Sequence, residues 1–130
     1  MKTILAIDDD VMSLEILEEI LKDKGFELIL FSSAWAAIDF VKSTQLPIDL
    51  FLIDFRMEEQ TGLEVLKYLK ESNREYSKSP MIIVSAISTP YYRDKAIALG
   101  AAGYVSKPFE ESALFSVIDE YLHDDCAIPT

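Results

Sequence analysis

Two carboxylates at Asp8 and Asp9, a third at Asp54, a hydroxyl at Ser85 and an ammonium at Lys107 each stand at or near the end of a short apolar run. The runs are Thr3-Ile4-Leu5-Ala6-Ile7, Asp49-Leu50-Phe51-Leu52-Ile53, Met81-Ile82-Ile83-Val84 and Gly103-Tyr104-Val105-Ser106. Nearly continuous apolar character is expected of a strand covered on both faces. In a parallel sheet every strand exposes its carboxyl end on one edge, and open α/β folds hold ligands in the crevice there. The five residues then converge although they lie far apart in sequence. Carboxylates crowded at low dielectric repel one another and need a compensating cation. Oxygen-only ligands, few in number and leaving room for water and a phosphate oxygen, suit magnesium better than calcium, and manganese should substitute. Lys107 can neutralise an incoming phosphate and Ser85 can donate a hydrogen bond to it. The chemistry that fits is phosphoryl transfer to a carboxylate, in which an aspartate oxygen attacks phosphorus in line. Asp54, alone at the end of the middle strand and followed by a loop, is the better nucleophile. Asp8 and Asp9 are better placed as metal ligands.

The elements that must position these groups follow from periodicity. Leu14, Leu17 and Leu21 recur at helical spacing after Asp8-Asp9-Asp10 and stop before Gly25, which can adopt a left-handed C′ conformation. Glu27 to Phe31 reads as a second strand, and Ala34, Ile38 and Val41 mark a second helix that breaks at Pro47. Trp35 lies in that helix and is expected to pack in the core. Leu63, Leu66 and Leu69 mark a third helix after Gly62. Thr89-Pro90 reads as an N-cap with proline at the first helical position, opening a fourth helix that Gly100 can close; this helix is the least amphipathic. Leu114, Val117, Ile118 and Leu122 mark a fifth. Ten elements, strand and helix in turn, alternate along the chain, the pattern of an α/β fold around a parallel sheet.

Composition narrows the setting. The 130 residues match one ordinary domain, expected over residues 1–124 with 125–130 as a tail. A net charge of −11 argues against direct nucleic-acid binding. No apolar stretch approaches the roughly 20 residues of a membrane span, and no signal-peptide pattern follows Met1, so a cytoplasmic location is expected. Cys126 is the single cysteine, which excludes an internal disulfide and a cysteine metal cluster. Asp10 reads as a helix cap, His123 as a solvated residue and Glu58-Glu59 as a solvated loop.

The ordered set Ile4-Leu5-Ala6-Ile7-Asp8-Asp9, Asp49-Leu50-Phe51-Leu52-Ile53-Asp54, Gly62-Leu63-Glu64-Val65-Leu66, Ile82-Ile83-Val84-Ser85-Ala86 and Gly103-Tyr104-Val105-Ser106-Lys107-Pro108-Phe109 resembles the response-regulator receiver domains of two-component signalling over nearly the whole chain. The resemblance implies a doubly wound, flavodoxin-like fold with five strands in order 2-1-3-4-5 and five helices. It implies phosphorylation of Asp54 by a histidine kinase or a histidine phosphotransfer protein. It also implies direct magnesium ligation by Asp9, Asp54 and the main-chain carbonyl of Arg56, with Asp8 acting mainly through water. Ser85 and Tyr104 would be the switch residues, remodelling the face of the fourth helix, fifth strand and fifth helix toward a downstream protein. Lys107-Pro108 would carry a cis peptide bond. Ala86, small and beside Ser85, should leave the phosphate open to water.

One stretch departs from the family: Met57 is followed by Glu58-Glu59-Gln60-Thr61 where proline is common, and Arg56 sets a cation beside the acceptor, ready to pair with Glu58 or Glu59. Slower or altered dephosphorylation is expected, readable as a changed phosphoryl lifetime in Arg56→Ala. Other readings compete with the phosphorylatable switch. It could serve as a relay intermediate or as the receiver of a hybrid kinase. An Asp-x-Asp phosphatase using Asp8 and Asp10 would turn over a small phosphoester. A flavodoxin-like nucleotide binder would carry flavin colour, although three aspartates in the first loop oppose a cofactor phosphate. A receiver that no longer accepts phosphate would bind its partner constitutively.

Overall fold

The computed structural model describes residues 2–22, 24–57, 61–72, 74–86, 89–107 and 110–122. Five strands, β1 (Thr3–Ile7), β2 (Glu27–Phe31), β3 (Leu50–Asp54), β4 (Met81–Ser85) and β5 (Gly103–Ser106), alternate with five helices. These are α1 (Val11–Leu21), α2 (Ala34–Ser43), α3 (Gly62–Glu71), α4 (Pro90–Ala98) and α5 (Glu111–Leu122). The strands pair in parallel in the order β2-β1-β3-β4-β5. This is the expected doubly wound α/β sheet. The three central strands β1, β3 and β4 are buried at every position, as their unbroken apolar runs require, while β2 at the edge is only half covered.

Strand alternation sorts the core into two layers. Leu5, Ile7, Phe51, Ile53, Met81 and Ile83 pack with α2, α3 and α4. Ile4, Ala6, Leu50, Leu52, Ile82 and Val84 pack with α1 and α5. Each helix meets its layer through a stripe at helical spacing, as with Leu14, Leu17 and Leu21 on α1. The positive φ values of Gly25 (84°) and Gly100 (109°) lie just past α1 and α4, where the sequence places them. Thr89 stands at the N-cap of α4 with Pro90 following, although its side chain makes no capping hydrogen bond.

Two features correct the sequence reading. Trp35 is not core: it is 53% exposed, because α2 buries Ala34, Ala37, Ile38 and Val41 and a residue one step round from that stripe faces solvent. A 3-10 turn at Glu75–Lys78, between α3 and β4, has no counterpart in the periodicity. Its anchor is Tyr76, 9% exposed, whose ring meets Phe51 edge-on at 6.2 Å between centroids. Among the described residues no helix is long and apolar enough to cross a membrane.

Candidate functional site

Ala6, Leu52 and Val105 face the α1/α5 layer, so residues two further along, Asp8, Asp54 and Lys107, fall on that same side at the carboxyl edge of the sheet. The register confirms the approach of β1 and β3: Ile7 pairs with Ile53, which sets Asp8 beside Asp54. Lys107 reaches across from β5. Its Nζ lies 2.7 Å from Asp8 Oδ2 and 3.0 Å from Asp54 Oδ1. Asp8 and Asp54 are buried, whereas Asp9 sits exposed at the rim. Asp8, Asp9 and Asp54 each offer a carboxylate oxygen within 4.8 Å of the others. The remaining Asp8 oxygen, Oδ1, accepts the Asp10 backbone N–H at 2.9 Å, which holds the β1–α1 loop around the carboxylates.

Electrostatics at this edge are unbalanced. Asp54 is pushed up to about 6: burial raises it most, the hydrogen bond and charge of Lys107 pull against that, and the neighbouring charges of Asp8 and Asp9 add to the rise. Burial alone would lower Lys107, but its hydrogen bonds to Asp8 and Asp54 outweigh that and hold the ammonium above its ordinary value. Among the described residues, Lys107 is the lysine that pairs with Asp8 and Asp54 in this group of three carboxylates. An all-oxygen donor set of this kind, short of positive charge, fits a hard divalent cation.

Ser85 ends β4 and is 2% exposed. Ile83 belongs to the α2–α4 layer, so Ser85, two residues on, faces that layer too. Tyr104, paired with Ile83 in the ladder, is half-buried against the same layer. Asp54 and Lys107 therefore line one side of the sheet edge and Ser85 the other. A backbone hydrogen bond from Lys107 N–H to the Ser85 carbonyl, 2.8 Å, ties the two sides together.

The model of the response regulator receiver domain matches residues 4–119. The chain belongs to that family. The transcriptional regulatory protein CpxR of Escherichia coli K12 is 31% identical over 118 residues, which are 91% of this chain and 48% of that protein. The chain thus spans about half the length of that relative. The polar-differentiation response regulator DivK of Brucella ovis is 28% identical over 123 residues, 95% of this chain and 98% of that one. Among solved structures, the chemotaxis protein CheY4 of Vibrio cholerae superposes with a TM-score of 0.85 at 24% identity, covering 94% of this chain and 99% of the other. A putative response regulator from Chloroflexus aurantiacus gives 0.85 at 23%, covering 95% and 98%. Identities this low speak for the fold alone.

Receiver domains are signalling domains, and this one gathers Asp8, Asp9, Asp54 and Lys107 at the edge where strand ends predict them. Ser85 borders that cluster through its backbone bond to Lys107. Arg56 lies two residues past Asp54 with its side chain exposed; Glu58 and Glu59, its expected partners, fall outside the described residues, as do Pro108, His123 and Cys126. Asp10 is the N-cap of α1, its side chain accepting from Met12 N–H. Gly62 is a site residue that sequence reasoning quoted without a role. A Cβ there would collide with the Asp54 carbonyl oxygen, and its N–H donates to the Phe55 carbonyl at 2.8 Å. The signal was available in glycine opening a helix just after the loop that follows Asp54, where a capping box of Thr61 and Glu64 starts α3.

Proposed function

We propose that this receiver domain is phosphorylated on Asp54 by a histidine kinase or a histidine phosphotransfer protein and signals through protein contacts. The observation that carries this reading is the Asp54 carboxylate, buried beside Asp8 and 3.0 Å from Lys107 Nζ. An Asp54 oxygen attacks phosphorus and forms a P–O bond as the P–N bond to the donor imidazole breaks; the electron pair stays on that nitrogen. Lys107, already bridging both carboxylates, is in reach of a phosphoryl oxygen and offsets its charge. Asp8, Asp9, Asp54 and the Arg56 carbonyl would hold magnesium, or manganese in its place. When bound, the cation neutralises the carboxylate excess and the equatorial oxygens. Hydrolysis returns Asp54 and inorganic phosphate when water attacks phosphorus.

Ser85 is the hydroxyl drawn to the phosphate and Tyr104 the aromatic that responds. Support comes from their common side of the sheet and the Lys107–Ser85 backbone bond. The downstream partner then meets the face of α4, β5 and α5. On this reading residues 1–124 form one receiver domain with a tail at 125–130, acting in the cytoplasm without touching nucleic acid itself. The test is incubation with magnesium and beryllium fluoride, or with acetyl phosphate, read by amide chemical shifts or intact mass near neutral pH. Wild type responds around Asp54, Ser85 and Tyr104 and Asp54→Asn does not; equal responses reject the acceptor.

A further inference from the structure

Positive charge is unevenly spread in this acidic chain. Residues 65–80 hold Lys67, Lys70, Arg74 and Lys78 against Glu71 and Glu75, so a short stretch with four of the 12 basic residues carries two of the 23 acidic ones. The fold adds Lys42 from the end of α2, whose ammonium stands 5.8 Å over the Tyr68 ring of α3. Here, where β3 and β4 begin, lie two adjoining hollows of about 420 Å³ and 240 Å³ that share Arg74 and Tyr76. Lys78 lines the first and Lys42 the second, while Leu46, Ile48 and Tyr68 supply apolar wall.

Hydrogen bonds tie the elements that wall the groove to one another. Lys70 Nζ donates to the carbonyls of Ser77 and Ser79 at 3.2 and 3.3 Å, and Ser79 Oγ donates to the Ile48 carbonyl at 2.5 Å. Ser72 Oγ meets the Tyr76 hydroxyl at 3.1 Å. Of the two described carboxylates in the walls, Asp49 is engaged by the Thr3 N–H at 2.8 Å and Glu71 stands exposed. Arg74 and Lys78 enter no ion pair among the described residues.

We infer that this groove docks a short acidic segment of a partner protein, its carboxylates on Lys42, Arg74 and Lys78 and an apolar side chain against Leu46 and Tyr68. Charge decides the occupant. A long polyanion such as nucleic acid would run off the groove onto a chain whose net charge is −11, whereas a short segment keeps its charges local. Tyr and Arg are residue types that carry binding energy at interfaces. Ile48, two residues before β3, stands six residues before Asp54, roughly 20 Å away at strand rise and about two screening lengths at physiological salt. Docking here is therefore independent of the acidic edge and does not rest on the acceptor reading.

The experiment titrates the full chain, labelled with nitrogen-15, with a peptide alternating glutamate and leucine around one phenylalanine, and with its lysine-for-glutamate counterpart. Amide shifts confined to residues 42–49 and 68–79, seen with the acidic peptide alone and weakened roughly fivefold or more by Arg74→Glu or Lys78→Glu, support the proposal. Both side chains are exposed, so unchanged melting and an unchanged beryllium fluoride response verify that each variant is otherwise intact. Absence of shifts, shifts centred elsewhere, or equal response to the lysine peptide overturn it. So does concentration-dependent self-association of the chain that perturbs the same amides, which would make a second copy the occupant.

Discussion

Asp54 and Lys107 sit in one contact with opposed demands: burial favours a neutral carboxyl at Asp54, while Lys107 is kept charged by its two carboxylate neighbours. The sign of the resulting pH dependence is unusual for an aspartate. Its folded value of about 6 exceeds the ordinary 3.8, so the folded state binds this proton more tightly than the unfolded chain. The contribution to stability is fully present below the ordinary value and is lost as pH rises through about 6. In metal-free buffer Asp54→Asn should therefore melt higher than wild type at neutral pH, with the gap narrowing toward pH 4. Paired thermal melts in chelator check this, and a gap that widens on acidification refutes it. The acidic chemistry was legible in sequence because each group follows an apolar run; the 2.7 and 3.0 Å reach of Lys107 was not, since it depends on how β5 lies relative to β1 and β3.

At the level of elements, α3 matters most to the position of Asp54. Its first residue presses on the Asp54 backbone, so Gly62→Ala must push α3 away from β3 or bend the strand end. Overpacking of this kind typically costs 1–3 kcal/mol. We expect a lower urea midpoint and a weakened beryllium fluoride response from Gly62→Ala; an unchanged midpoint and response would show that α3 yields freely. By contrast α4 is lightly held, burying Ala96 alone among its side chains, with Tyr92 leaning on Phe55 at 4.9 Å between centroids. That weak amphipathic signal was legible in its sequence. The 3-10 turn at Glu75–Lys78 was not, because four residues are too few for periodicity and its hold comes from Tyr76 reaching Phe51 on another element. Trp35 misled for a related reason: aromatic burial is a tendency of the residue type, while the facing stripe of α2 was set by the smaller Ala34 and Ala37.

For the whole molecule, charge is distributed by edge. The carboxyl edge of the sheet concentrates Asp8, Asp9 and Asp54, and the amino edge carries the basic groove. Its two hollows lie at the amino edge, far from the acidic cluster. A divalent cation that binds the folded chain and not the unfolded one stabilises by mass action, about 1.4 kcal/mol at ten times its dissociation constant. For a domain of this size that is roughly 3–6 °C in Tm. Magnesium should produce this rise over sodium chloride of matched ionic strength, and Asp54→Asn should shrink it. Scanning calorimetry measures both; an equal rise in sodium chloride would assign the effect to screening of the net charge.

The chain by itself determined the alternation of strands and helices, the acidic and lysine ends of the strands, and the caps at Asp10 and Gly100, because these are local: apolar period, side-chain type and backbone freedom are written residue by residue. Family resemblance supplied the strand order, but tertiary structure alone decided the sharing of Lys107 between Asp8 and Asp54, the side of the sheet on which Ser85 and Tyr104 fall together, and the basic groove built from α2, α3 and the turn after it. Those depend on which distant segments pack side by side, and no spacing along one chain encodes a distance between two of its strands.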